Sequence, residues 1–233
     1  MLKKATLEHV ISHDLSELWS VLRRDEKRLV TDHFQMHNFK KNQIIYAEGE
    51  EPENLWCLLK GKVKMYKNGI GDRVQILRLY RPVQYFGYRA YFAHEHYVSS
   101  AAAVEPSIVG CLPLELVERL IRGNMDLAMF FIHELSKNLG GSDTKIVNLT
   151  QKHIRGRLAE ALLILLDNYG LEADGSTLKI YMSREDLANL SNMTTSNAIR
   201  TLTSFVNEKV LVVDGRRIRV LNESALRKIS KFG

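Results

Sequence analysis

The stretch "SREDLANLSNMTTSNAIRTLTSF", residues 183–205, holds two short helical patterns separated by a polar break. Ser183 followed three residues later by Asp186 is a capping-box-like helix start. Leu187, Ala188 and Leu190 give this first helix an apolar side, Asn192-Met193 break it, and Thr194 caps a second helix. Ala198, Ile199, Leu202, Phe205 and Val206 are predicted to share one side of that second helix, with Ser196, Asn197, Arg200 and Ser204 opposite. Hydroxyls, an amide and an arginine on an ordered helix face match the edges of base pairs in a DNA major groove, where arginine bonds guanine bidentately. The competing reading is a solvated helix pair.

The flanking segments favour the DNA reading. "VLVVDGRRIRVL" (210–221) is predicted to form a hairpin turning at Asp214-Gly215 and carrying Arg216 and Arg217. "LKIYM" (178–182) reads as a strand, and "RLAEALLILLDNYG" (157–170) as an amphipathic helix ending at Gly170. Two helices, a tight turn, a polar second helix and a basic hairpin describe a winged helix-turn-helix. Residues 151–233 hold 13 Lys/Arg against 9 Asp/Glu, and residues 1–150 hold 20 against 18. Most of the net charge of +6 therefore sits in the shorter C-terminal part, as nucleic-acid contact would favour.

Toward the N-terminus the rhythm changes. Residues 15–34 read as one or two short helices with Leu15, Leu18, Trp19 and Leu22 on an apolar stripe. From Phe39 to about Pro113, short β runs ("QIIYAEG", "NLWCLLKG", "KVKMYKNG", "VQILRL", "YVSSAAAV", "SIVGCL") alternate with turn signals, the pattern of an antiparallel jelly-roll-like barrel. A helix then carries Ala128, Ile132, Leu135, Leu139, Ser142, Ile146, Leu149 and His153 at alternating steps of four and three. Such a narrow a/d seam pairs two helices along a line, so a homodimer is expected with Ile132, Leu135, Leu139, Ser142, Ile146 and Leu149 in its interface. Gly140-Gly141 interrupt the seam, from close backbone approach or as a weak point. The fold expected is α+β: an N-terminal antiparallel β-roll with flanking helices, a long dimerisation helix (about 114–150), and a C-terminal winged helix-turn-helix. The domains expected are 1–150 and 151–233.

Two cysteines, Cys57 and Cys111, exclude a disulfide framework and a four-cysteine metal site. The opening MLKKATLEHVISHD lacks a signal-peptide core, and the aliphatic stretch within Leu158–Leu166 is too short for a bilayer, so a cytoplasmic protein with no membrane partner is expected. Catalytic motifs are absent: there is no GxSxG, HExxH or GxGxxG, and Gly140-Gly141-Ser142-Asp143-Thr144-Lys145 lacks the Walker spacing. An enzyme is not expected. Two rivals stand: a cupin-like metal or haem protein, and a ligand-binding module whose C-terminal domain binds protein. For the first, His94-Glu95-His96, His9/His13 and His33/His37 are the available pairs, and solvated histidines explain them more simply. No metal and no cofactor are expected, haem included.

The chain resembles the Crp/Fnr family of bacterial transcription regulators over nearly its whole length. "FKKNQIIYAEGEEPENLWCLLKGKVKMY" is similar to the family's β-roll opening, with Gly49 and Gly61 at its turn glycines, and "FGYRAYF" resembles its effector-holding segment. The resemblance implies a homodimer on double-stranded DNA with a near-palindromic operator, in contact with RNA polymerase. It puts Arg184, Thr194 and Asn197 at phosphate-contacting positions and Thr195, Ser196 and Arg200 in the base-reading part of the second helix. Ser196 stands where many members have Glu, so the usual operator is not implied. Cyclic-nucleotide-binding members carry a Glu and an Arg where this chain has Tyr88 and Val98, and the cysteine cluster of iron–sulfur members is missing. Cyclic AMP and cyclic GMP are therefore expected to bind weakly or not at all. Two alternatives stay open: a different small effector held by Gly87, Tyr88, Arg89, Ser99, Ser100, Ser142 and Asp143, or a pocket filled by its own side chains.

Overall fold

The structure is a computed structural model that describes residues 8, 11–13 and 15–232; His9 lies outside the described residues. In chain order the elements are α1 (Ser16–Val21), α2 (Arg24–His33), β1 (Gln35–Phe39), β2 (Ile44–Tyr46), β3 (Asn54–Lys60), β4 (Val63–Asn68), β5 (Val74–Tyr80), β6 (Tyr85–Phe86), α3 (Tyr88–Phe92), β7 (Ser100–Ala103), β8 (Ser107–Pro113) and α4 (Leu114–Gly123). There follow α5 (Met125–Gln151), α6 (Ile154–Tyr169), α7 (Arg184–Leu190), α8 (Thr195–Asn207), β9 (Leu211–Asp214), β10 (Arg217–Val220) and α9 (Glu223–Phe232). They divide into two compact units, Met1–Lys67 with Arg78–Gly140, and Asn68–Leu77 with Gly141–Gly233.

Two four-stranded sheets, ordered β1-β8-β3-β6 and β2-β7-β4-β5, form the antiparallel roll expected from the glycine-punctuated runs. Alternate residues of β2, β3, β4, β6, β7 and β8 meet inside it: Tyr46, Leu58, Val63, Phe86, Ala101 and Val109, with Tyr80 and Tyr97. The filling is aromatic. Tyr46 stacks on Tyr97 with centroids 3.8 Å apart, and Tyr80 on Phe86 at 4.8 Å. A second apolar cluster lies under the helices, where Leu15, Leu18 and Leu22 meet Val30, Leu114, Val117, Leu120, Leu127 and Phe131.

The helix predicted over about 114–150 is two helices. Asn124 between them is extended (φ −136°, ψ 102°), and its side chain explains the break. Asn124 Oδ1 accepts from the Leu127 amide at 3.0 Å, capping α5, while Nδ2 donates to Val21 O (2.9 Å) and Glu26 Oε2 (2.7 Å). Glu26, at 1% exposure, also accepts from the Arg23 amide (2.8 Å) and guanidinium. Burial pushes the Glu26 carboxyl up, but these hydrogen bonds outweigh it and hold it below the usual range.

Two further expectations change. His153 is not on the seam helix: α5 ends at Gln151, and His153 is extended at the N-cap position of α6, where its side chain makes no capping hydrogen bond. "LKIYM" is not a strand but an extended connection with isolated bridges, Leu171 to Leu178 and Thr177 to Arg219; its Leu178, Ile180 and Met182 are buried, so the apolar signal came from the core. Helix α5 runs through Gly140-Gly141 without interruption, and a Cβ on either would meet nothing within the chain. In the second unit Lys145 Nζ donates to Ile76 O (2.7 Å) and Leu77 O (3.0 Å), binding residues 68–77 to α5.

Removing the Glu26 carboxylate leaves the Asn124 amide and Arg23 without their buried acceptor. Glu26→Ala should destabilise the first unit by about 2–4 kcal/mol, read as a fall in its denaturant midpoint at unchanged slope. Glu26→Gln, which keeps one acceptor, should lose less.

Candidate nucleic-acid interface

Local chemistry sets the two helices of the 183–205 stretch. Ser183 Oγ accepts from the Asp186 amide at 2.9 Å and donates to Asp186 Oδ2 at 2.9 Å, which starts α7. The turn places Asn192 at φ 52°, and Met193 N donates back to Ala188 O at 3.0 Å. Thr194 Oγ1 then accepts from the Asn197 amide at 3.3 Å and starts α8.

The inward stripe of α8 is Ala198, Thr201, Leu202 and Phe205, spaced i, i+3, i+4, i+7 and at most 8% exposed. This corrects the predicted face. Ile199 and Val206 are 46% and 36% exposed, and Thr201 takes the buried place. The reason is geometric: contacts with α6, α7 and β9 surround the arc centred between Ala198 and Phe205, and Ile199 lies beyond its edge. The outward stripe repeats the same spacing with Ser196, Ile199, Arg200 and Thr203, all exposed.

Polar side chains on and beside that face are held in place. Arg200 Nη2 donates to Asn197 Oδ1 at 2.5 Å. Ser204, expected on the open face, is bound elsewhere: it accepts from Arg155 Nη1 at 2.7 Å and donates to Glu208 Oε1 at 2.7 Å. The Arg155 guanidinium also forks onto Glu208 (2.8 and 2.7 Å) and lies 5.0 Å from the Phe205 ring centroid. Arg155 thus clasps the C-terminal end of α8. Sequence reasoning missed it, because its partner is 53 residues away.

The hairpin β9–β10 forms with Asp214 facing Arg217 across the two-residue loop Gly215-Arg216. Gly215 has φ 54°, the positive value that a tight hairpin turn demands. Arg184 Nη2 donates to Gly215 O at 2.5 Å, so the first residue of α7 holds the hairpin tip. Arg216 and Arg217 are exposed, with the Arg217 guanidinium 5.8 Å from the Tyr181 ring centroid. Thr194, Thr195 and Ser196 are exposed at the start of α8. This unit therefore presents hydroxyls, an amide and a fixed arginine on one helix, with two more arginines on the hairpin.

The residues expected to hold an effector are distributed differently. Gly87 has φ 86°, and a Cβ there would stand 2.6 Å from Trp56 Cδ1. Tyr88 packs in the helical cluster, its ring 5.2 Å from Phe131 and its hydroxyl accepting from Asn138 Nδ2 at 3.4 Å, rather than with Tyr46 and Tyr97 in the roll. Burial raises its hydroxyl pKa strongly. Arg89 is on α3, exposed and paired with Glu95 at 3.3 Å. Ser99 and Ser100 are buried, and Ser100 Oγ accepts from the Glu48 amide at 2.9 Å. Beside Val98 a cation does arrive: Lys67 Nζ donates to Val98 O at 2.8 Å, but it is paired with Glu48 at 2.8 Å. Ser142 and Asp143 are exposed on the part of α5 that belongs to the other unit.

Among the described residues no cluster of three or more His, Cys, Asp or Glu could hold a metal, and no helix is long and apolar enough to cross a membrane. His94, Glu95 and His96 are exposed.

Residues 36–124 match the cyclic nucleotide-binding domain family, and residues 156–229 match the Crp-like helix-turn-helix domain family. The chain belongs to the Crp/Fnr family. It is a DNA-binding transcription regulator and not an enzyme. The regulator is 26% identical to the global nitrogen regulator of Nostoc over 79% of this chain and 84% of that one. It is 20% identical to the CRP-like cAMP-activated global transcriptional regulator of Mycobacterium tuberculosis, over 85% and 89%. FixK2 from Bradyrhizobium japonicum shares its fold, with a TM-score of 0.76 at 21% identity over 84% of this chain and 96% of that one.

The Arg155–Glu208 clasp predicts a pH signature. Hydrogen bonds from Arg155 and then Ser204 pull the Glu208 carboxyl down to about 2, so its contribution is complete above pH ~4.5 and is lost as pH falls toward 2. With both partners near 40% exposed (39% and 42%), the effect is below ~1 kcal/mol. Thermal melts of the wild type and Glu208→Gln should differ by a constant amount from pH 7 to 5 and converge only as pH falls to about 2.

Proposed function

We propose that two copies of this regulator pair along α5 and read a near-palindromic operator in the cytoplasm, with half-sites about 34 Å apart, one helical turn. The observation that carries this reading is the exposed seam. Ile132, Leu139 and Ile146, two helical turns apart, are 52%, 64% and 60% exposed in the single chain. Leu135 and Leu149 flank them half-buried, and Ser142 is exposed between them. Isolated surface aliphatics are ordinary, but a periodic row from Ile132 to Ile146 on a 27-residue helix calls for a covering surface, and a second α5 has the same row.

Within each subunit, Thr195, Ser196 and Arg200 would contact base edges, while Thr194, Asn197, Arg216 and Arg217 would contact phosphates and set the register. The bond from Arg184 to Gly215 O makes its first task holding the hairpin, and with Nη1 buried beside it the residue would serve phosphate contact chiefly by fixing the hairpin that carries Arg216 and Arg217. Phosphate contacts release counterions and dominate affinity, so binding should weaken steeply with salt. Contact with RNA polymerase completes the regulatory role.

The first test is assembly. The wild type should sediment as a dimer at micromolar concentration and enrich a near-palindrome from a randomised duplex pool. Leu139→Lys would bury an unpaired charge in the seam, and it should be monomeric and lose tight operator binding, whereas Glu134→Lys should keep both. A monomeric wild type overturns the proposal.

A second observation bears on control. The stacked Tyr46–Tyr97 and Tyr80–Phe86 pairs occupy the roll interior, and Lys67, the cation beside Val98, is already neutralised. This favours a regulator that cyclic AMP and cyclic GMP do not control, although the relative from Mycobacterium tuberculosis is named as cAMP-activated. Calorimetry should give no heat with either nucleotide at micromolar concentrations. A low-micromolar constant that Arg89→Ala abolishes would reverse it.

A further inference from the structure

The face that α8 turns outward is not uniformly polar. In the middle of Ser196, Ile199, Arg200 and Thr203 stands a β-branched aliphatic residue at 46% exposure, on the same helix as Ala198, Leu202 and Phe205 at 0%, 3% and 0%. Helix propensity does not explain it, since isoleucine is a poorer helix former than alanine, lysine or glutamine at a solvated position. Packing does not explain it either, because the inward stripe is complete without it.

Its neighbours divide the face into two chemistries. Arg200 is drawn toward Asn197 by the 2.5 Å hydrogen bond, so its guanidinium belongs to the flank away from Ile199. Thr203, one turn after Ile199, donates its hydroxyl to Ile199 O at 3.0 Å. With that hydroxyl satisfied by the helix backbone, the γ-methyl is the free chemical character of Thr203. Ile199 and Thr203 therefore form an apolar half beside the Asn197–Arg200 polar half. Ile199 is the fifth residue of α8, within the N-terminal part that a recognition helix directs at base edges.

The major-groove edges of the four base pairs offer donors and acceptors in varied order but a single apolar group, the C5-methyl of thymine. We propose that Ile199 is a specificity-determining residue that packs against a thymine methyl in each half-site, next to the base read by Arg200. This rests on α8 being the recognition helix. A purely hydrogen-bonding face would tolerate uracil at that position, because uracil keeps the O4 acceptor of thymine and lacks only the methyl. An aliphatic side chain instead desolvates the groove there and gains only when a methyl group meets it.

The test removes the methyl and nothing else. Full-length protein first enriches an operator from the randomised pool. Each thymine is then replaced singly, with its symmetry mate, by deoxyuridine, and affinities are measured by fluorescence anisotropy for wild type, Ile199→Ala and Arg200→Ala. One thymine position should weaken wild-type binding roughly fourfold per methyl, about fifteenfold for the pair, following ~0.8 kcal/mol for each buried carbon group. Ile199→Ala should bind thymine and deoxyuridine duplexes alike at that position, and Arg200→Ala should retain the thymine preference while relaxing at a neighbouring base pair. Because Ile199 is exposed, its variant should melt with the wild type. A wild type indifferent to deoxyuridine at every position, or an Ile199→Ala variant as sensitive as the wild type, overturns the inference and leaves the recognition-helix assignment standing. If no sequence is enriched, or if Arg200→Ala and Ile199→Ala bind all duplexes as the wild type does, the recognition-helix assignment fails and the inference falls with it.

Discussion

The inward stripe of α8 is the constraint from which the interface follows. Ala198, Thr201, Leu202 and Phe205 are buried, and burying aliphatic and aromatic surface is the main favourable term holding a helix at a fixed rotation. Once that arc is fixed, the 3.6-residue period leaves Ser196, Ile199, Arg200 and Thr203 on the opposite side without further instruction. Rotation of α8 by one residue toward Asn197 would bury Asn197, Arg200 and Ser204 in place of Ala198, Leu202 and Phe205, at the cost of unpaired polar groups. The polar face is therefore maintained by an apolar one, and the regulator's reading surface is as rigid as the packing behind it.

The same unit reinforces that rotation at both ends of the helix. Thr194 caps the start, and the Arg155–Glu208–Ser204 clasp secures the finish, with the guanidinium also covering the Phe205 ring. Arg184 adds a tie from α7 to the hairpin tip through Gly215 O. Each of these is a modest contribution at partly exposed positions, but all of them restrict the same few degrees of freedom. A site that must present hydrogen-bonding groups in register benefits more from such restriction than from added affinity.

In the first unit the equivalent constraint is volume. A roll of two four-stranded sheets encloses an interior, and here Tyr46, Tyr80, Phe86 and Tyr97 occupy it as stacked pairs. The Asn124 cap and the buried Glu26 carboxylate then fix where the helical layer ends and α5 begins. Both features are interior choices rather than surface ones, which is why the match to a cyclic nucleotide-binding domain establishes the architecture and not the ligand.

Much of this was legible in the linear sequence because the signals are local. The caps Ser183 and Thr194, the short strands punctuated by glycine, the hairpin around Gly215 and the four-three seam from Ala128 to Leu149 are patterns within a few residues of one another, and each appears in the structure. The two-helix pattern with its basic hairpin read as DNA-binding from the residues themselves, and the resemblance to the Crp/Fnr family implied a regulator. What the sequence could not decide depended on distant partners or on a choice among similar residues. The Asn124 break needed Val21 and Glu26, about a hundred residues earlier; the burial of Thr201 in preference to Ile199 needed the positions of α6, α7 and β9; and the "LKIYM" segment was apolar for the core rather than for a sheet. Periodicity specifies that a helix has an apolar arc, but the arc's edges are set only when neighbouring elements close around it, and for α8 that closure decided that Ile199 faces outward.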